Sequence, residues 1–311
     1  MVLKRRIELK QVDAIFCADL HLRSDVPICR VDNYWQAQET KLNFIISLAK
    51  KHRCPIIIAG DAGHKSEWND ALLRWTIKKI EDLEIYLTPG QHDLPNHNLE
   101  KWEESGVGVL ESSCKNFIFM SKNGFIDLGR SLFVVFSFPF GEKIKHLTPE
   151  VMNNRKIAVS HQLIIEGGKL EWPEQKAIPA QILLKEFPEY NIILTGDNHK
   201  PFVVEHQGRY VVNPGSMMRM SADQIDHKPR VYLWNAETNQ VKAEYLPIDD
   251  NVIDRGHIDD PTEKDKRMKA YVEHLQKGRD ISLSFEQNME RFLQSNHIDK
   301  TVKDKIRRAM I

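Results

Sequence analysis

Five short apolar runs constrain this chain most, because each of them stops at a side chain able to bind a metal. Residues 12–17, 55–59, 84–88, 156–160 and 191–195 are too short for buried helices and rich in isoleucine and valine. They predict strands covered on both faces. Asp19 and His21 follow the first run, and Asp61 follows the second. Gln91, His92 and Asp93 follow the third, His161 the fourth, and Asp197 and His199 the fifth. Between the first three runs the pattern is helical, over residues 34–51 and 70–83. In layered α/β domains the carboxyl ends of strands are where loops converge. One shared site is therefore expected.

The middle of the chain is richer in β signals, at residues 117–120 and 132–138. Hairpins are predicted around Gln207-Gly208 and around Thr238-Asn239. Consecutive hairpins after an α/β half predict two sheets packed face to face and flanked by helices. A polar, acidic stretch from Pro247 to Asp260 reads as a linker. We place domain boundaries at 1–250 for the main domain and 251–311 for the linker and a small helical appendage. Its helices are expected over 263–277, 284–296 and 300–310, the second opened by a Ser284/Gln287 capping box.

Composition excludes some classes. Lys+Arg and Asp+Glu each total 44, so no basic field covers the surface. Cys17, Cys29, Cys54 and Cys114 form no CxxC pair and read as free thiols of a reducing compartment. No long apolar stretch follows the basic residues Lys4 to Arg6. No signal peptide or membrane span is expected, and the cytoplasm is the default location.

The residue types at the strand ends suit divalent ions. Carboxylate, imidazole and amide oxygen are borderline-to-hard donors, and the absence of thiolate argues against structural zinc. One carboxylate shared between two ions gives a geometry suited to phosphoester hydrolysis. An uncommitted histidine would then assist the leaving group.

The order Asp19-Leu20-His21, Gly60-Asp61, Gly90-Gln91-His92-Asp93, His161 and Gly196-Asp197-Asn198-His199 resembles the calcineurin-like metallophosphoesterase superfamily over roughly residues 12–245. The resemblance implies a two-sheet α/β sandwich and a pair of divalent ions. By position, the first ion would take Asp19, His21, Asp61 and His199. The second would take Asp61, Gln91, His161 and Asp197, with Asp61 bridging. His92 would be the catalytic acid, oriented by Asp93. Gln91 stands where the family usually has Asn, and Asp197 where it usually has His. Both tilt the second position toward oxygen, hence toward manganese, with magnesium or iron as alternatives. His64, where relatives often carry Asp, reads as an exposed residue.

Asn213-Pro214-Gly215-Ser216 is similar to a motif of SbcD-type nuclease subunits of double-strand-break repair, and the helical region after Pro261 is similar to appendages in phage-encoded relatives. That similarity implies a DNA exonuclease or endonuclease. Met217 to Met220 would then line a groove, with Arg219 near a substrate phosphate. The implied partners are DNA and an SbcC-type coiled-coil ATPase contacted through the C-terminal helices; a homodimer is compatible with both. Two other readings stay open: a phosphodiesterase or phosphatase of small nucleotides, and a metal-binding scaffold without catalysis. Trp68 is expected to pack against a helix, whereas Trp172 is the better candidate for a substrate contact.

Overall fold

A computed structural model describes residues 9, 11–120, 125–127, 133–147, 154–167 and 177–255 of the chain. The chain divides into two units, Met1–Ile253 and Asp254–Ile311. The described strands and helices, and the candidate metal ligands, belong to the first unit. The expected C-terminal helices and Trp172 lie outside the described residues.

The apolar runs form strands as expected. The first half contains β1 (Ala14–Cys17), β2 (Ile56–Ala59), β3 (Ile85–Thr88) and β4 (Phe117–Phe119). The middle adds β5 (Phe125–Asp127), β6 (Phe133–Phe138), β7 (Arg155–Ser160), and the two-residue β8 (Ile164–Ile165) and β9 (Ile178–Pro179). Then come β10 (Ile192–Thr195), β11 (Phe202–His206), β12 (Arg209–Asn213), β13 (Arg230–Asn235) and β14 (Gln240–Tyr245). One six-stranded sheet runs β14-β13-β1-β2-β3-β4, and the other runs β11-β12-β10-β7-β6-β5. Both predicted hairpins are present, pairing β11 with β12 and β13 with β14.

Alternation along the strands explains why two sheets are needed. Ala14 and Phe16 of β1, Ile57 of β2 and Tyr86 of β3 share a core with Phe133, Val135, Ile157, Val159, Ile192 and Leu194 of the second sheet. The intervening residues Ile15, Cys17, Ile56, Ile58, Ile85 and Leu87 face helices instead. Those helices are α1 (Tyr34–His52), α2 (Asp70–Ile80) and α3 (Gly106–Ser113). The outer face of the second sheet packs on α4 (Ala180–Glu186), through Leu183 and Leu184 against Val134, Ala158 and Ile193. A strand buried on both faces must be apolar at every position, which is what made these runs legible.

Asparagines start the two long helices. Asn33 accepts from Gln36 N at 3.1 Å, and Asn69 accepts from Leu72 N at 2.9 Å. α2 stops at Ile80, short of the expected Leu83. There the Leu83 N–H turns to the Ile80 carbonyl at 2.8 Å, and Leu83 drops into the core.

The register then fixes where the strand ends lie. β1, β2 and β3 are parallel neighbours, with Cys17 beside Ile58 and Ala59 beside Thr88. β7 and β10 are also parallel, with Ser160 beside Thr195. Five loops therefore leave adjoining strand ends. No helix among the described residues is long and apolar enough to cross a membrane.

Candidate metal centre

The loop after β1 is held against the loop after β2 by its backbone. Asp19 N donates to Gly60 O at 3.0 Å and His21 N donates to Asp61 O at 2.9 Å. Asp19, His21, Asp61 and Asp197 all have positive φ, between 46° and 70°. Such backbone is unfavourable for residues other than glycine, costing about 1–3 kcal/mol each. Here it turns each side chain away from its strand and toward one point.

That point gathers three sets of ligand atoms, each set within 4.8 Å: Asp19, His21 and His199; His21, Asp61 and His92; Asp19, Asp61 and His161. The Nε2 atoms of His21 and His199 are 3.1 Å apart. Asp61 Oδ2 lies 3.7 Å from His21 Nε2 and 3.3 Å from His161 Nε2. Asp61 thus stands in two of these groups. Asp19 does so as well, which position in the motif did not reveal.

Six buried atoms here have no hydrogen-bond partner: Asp19 Oδ2, Asp61 Oδ2, Gln91 Oε1 and His161 Nε2, and also His21 Nδ1 and His64 Nδ1; the first four lie where a metal could meet them. Buried polar atoms are rarely left so, and four orphans in one cluster call for a ligand that is neither donor nor acceptor. Divalent cations satisfy such atoms, carboxylate and amide oxygen and imidazole nitrogen alike. His161 Nδ1 lies 2.7 Å from Ala59 O and serves as its donor, which leaves Nε2 free for coordination. The donor set therefore fits divalent ions.

Electrostatics point the same way. Burial opposes ionisation of Asp61, but the His161 and His21 imidazoles hold its carboxyl well below the usual range. Burial likewise opposes charge on His161, yet the Asp61 carboxylate pushes that ring up to about 10. Burial keeps Asp19 well above, and His21 well below, their ordinary values.

Gln91, His92 and Asp93 form a single 3₁₀ turn after β3. His92 N donates to Asp61 Oδ1 at 2.9 Å. Asp93 does not hydrogen-bond the His92 ring among the described residues. Its Oδ2 accepts from Asp61 N (2.8 Å) and Gly90 N (2.9 Å), and its Oδ1 from Gly63 N (3.1 Å). Through these three bonds Asp93 positions the loops after β2 and β3, and the bond to the His92 ring expected from sequence is not among them. Gln91 Nε2 donates to Asp197 Oδ1 at 2.9 Å.

Two expectations change with burial. Met217, Met218 and Arg219 are buried and line no groove at this centre. Arg219 Nε donates to His227 O at 2.8 Å, and the side chain borders a separate cavity with Lys228 and Asp250. The loop carrying them contributes backbone instead: Ser216 N reaches His199 O at 3.3 Å and Met217 N reaches Asp19 O at 3.1 Å. Gly215, at φ 70°, is needed there because a Cβ would press on His199 O.

His64 is the residue that sequence reading undervalued. It is half-buried, its ring stacked nearly parallel on His92 with centroids 5.7 Å apart and set edge-on to His21 at 5.7 Å. Burial, with help from Arg23, pushes it down to about 4. Its N–H bonds Leu22 O at 3.1 Å, so the loop after β2 runs beside the loop after β1. That pairing was the missing signal. Trp68 packs beside Gly63 and Gly106, as expected of a packing residue, with its indole N–H on Lys65 O at 2.9 Å.

Comparison with curated proteins gives no match. Among solved structures, the chain is similar to an archaeal phosphodiesterase (13% identity, TM-score 0.41, covering 75% of this chain and 99% of that one). It is also similar to a phosphopantetheinyl hydrolase of Mycobacterium tuberculosis (12%, TM-score 0.44, 75% and 95%). A putative 5′-nucleotidase of Staphylococcus aureus matches at 14% and TM-score 0.44, with 82% of this chain and 57% of that chain covered. The model of the calcineurin-like phosphoesterase family matches residues 14–215, which takes in every loop that builds the cluster, and the chain belongs to that family.

Proposed function

We propose that this protein is a dinuclear metal-dependent phosphodiesterase and, more narrowly, a DNA exonuclease or endonuclease acting on strand breaks. The observation that carries the first part is the set of four partnerless buried ligand atoms around Asp61. Asp19, His21, Asp61 and His199 would hold one ion, and Asp61, Gln91 and His161 the other, with Asp197 against the Gln91 amide. Bound there, divalent ions supply Lewis acidity toward phosphoryl oxygens and lower the pKa of water. Manganese is the ion that the oxygen-rich second set favours.

The protein's own groups do the rest. Asp61 takes its place in both sets, held by the His92 and Asp93 contacts on its two sides. His92, at the open edge of the cluster, gives a proton from a ring nitrogen to the departing oxygen. Asp93 keeps the β2 and β3 loops in register. His64, uncharged at neutral pH, backs the His92 ring.

The narrower reading rests on Asn213-Pro214-Gly215-Ser216, whose Ser216 N–H braces His199 O, the next residue, Met217, bracing Asp19 O. DNA would be the substrate, and an SbcC-type coiled-coil ATPase, met through residues beyond 253, the partner. The test is purified protein with manganese on end-labelled duplex DNA and, separately, on bis-p-nitrophenyl phosphate. Cleavage of both supports the nuclease. Hydrolysis of the small ester alone shifts the function to small nucleotides. Inactivity on both, with metal bound, would leave a scaffold.

A further inference from the structure

Two of the positions at which this sequence departs from its family pattern touch each other. Gln91 begins the turn after β3 and Asp197 ends the β10 loop, 106 positions apart, yet Gln91 Nε2 donates to Asp197 Oδ1 at 2.9 Å. Asp197 belongs to none of the three close ligand sets. Its own N–H is tied to Asp19 Oδ1 at 3.2 Å, which fixes the carboxylate beside the cluster.

An amide side chain presents oxygen at one end and two N–H donors at the other, and it can rotate to exchange them. A carboxylate only accepts. Opposite Asp197 the nitrogen of Gln91 must face the carboxylate, so Oε1 faces away from it, and that oxygen is buried without a partner. A histidine at 197 would not enforce this, since a neutral ring can donate or accept.

We infer that Gln91 and Asp197 act as one unit: Asp197 is a positioning residue that holds the Gln91 amide with its oxygen available to the second metal ion. This rests on the proposed dinuclear centre. Asp197 then governs that ion through Gln91 and is not a separate ligand. The negative charge behind the amide also strengthens its oxygen as a donor, favouring hard ions such as manganese over zinc.

A double-mutant cycle tests this, using Gln91→Ala, Asp197→Ala and both together, with Asp197→Asn as a fourth variant. Manganese stoichiometry and affinity are read by calorimetry and electron paramagnetic resonance, and melting temperature controls for folding. Wild type should bind two ions. Each single alanine variant should weaken the second ion by about 10–100-fold, the range for residues that orient a ligand. The double variant should be about as weak as the weaker single one. Asp197→Asn, which leaves the amide free to turn, should weaken it as well, with melting unchanged. Losses that multiply in the double variant, or a wild-type affinity in Asp197→Asn, overturn the coupling while two ions on wild type keep the dinuclear centre. Fewer than two ions on wild type overturns both.

Discussion

Asp93 Oδ2 accepts the backbone N–H of Asp61 at 2.8 Å, so the residue expected to orient a catalytic histidine instead fixes the backbone of the central carboxylate. Gly90 N and Gly63 N complete its bonds. Burial and the Asp61 charge push Asp93 up to about 7, against those three donors. Asp93→Ala would strand three buried N–H groups, each costing about 1–3 kcal/mol. We expect melting to fall by on the order of 10 °C and manganese affinity to fall with it. Asn keeps one acceptor oxygen and should lie between. A wild-type melting curve and metal content in Asp93→Ala would show that these bonds hold nothing in place.

His92 lies within a close ligand set with His21 and Asp61, which leaves two roles to separate. As a proton donor, its loss should cut turnover by roughly 10²–10⁴-fold with both ions still bound. The measurement is turnover of bis-p-nitrophenyl phosphate by His92→Ala beside its metal content. Loss of an ion from that variant would make His92 a ligand.

The strand-end residues were legible because burial on both faces forces unbroken apolar runs, and a polar side chain at the end of such a run stands out against it. Asp19, His21, Asp61, His161 and His199 were found this way. Contacts between distant loops were not legible. Nothing in the sequence tells whether Asp93 faces His92 or the Gly63 backbone, nor that Gln91 meets Asp197. α3 was missed because Gly106 and Gly108 are poor helix formers; the helix is held by burial of Val107 and Leu110 and by Ser105, whose hydroxyl accepts from Gly108 N at 3.3 Å. Nor does the sequence show that Arg219 Nε donates to His227 O while the side chain borders a cavity with Lys228 and Asp250.

Gly60 shows how tightly the cluster is packed from behind. Its φ is +83°, and a Cβ there would collide with the His161 ring. Gly60→Ala therefore combines a strained backbone with displacement of the ring whose Nδ1 meets Ala59 O. The expected outcome is loss of the second ion and a turnover drop of at least about 10²-fold, the scale of a 1 Å misplacement in a site. A crystal structure of the variant should show His161 moved. Normal activity with His161 in place would mean that the loop yields instead.

Lys41 gives a pH dependence remote from the cluster. It is buried on α1, and burial, followed by the neighbouring Arg30, pushes its ammonium down to about 8; Asp249 and Asp32 pull the other way, and Arg219 adds to the lowering. Below pH 8 both folded and unfolded chains hold the proton, and the fold bears the full cost of the buried charge. Between about 8 and the ordinary lysine value near 10.4, the unfolded chain holds more protons, so this cost fades as pH rises. Lys41→Met should therefore be more stable than wild type at pH 7, by on the order of 1–3 kcal/mol. The advantage should shrink toward zero by about pH 10.5. Chemical denaturation of both proteins across that range measures it. A methionine variant less stable at pH 7 would mean that attraction to Asp32 and Asp249 outweighs the cost of burial.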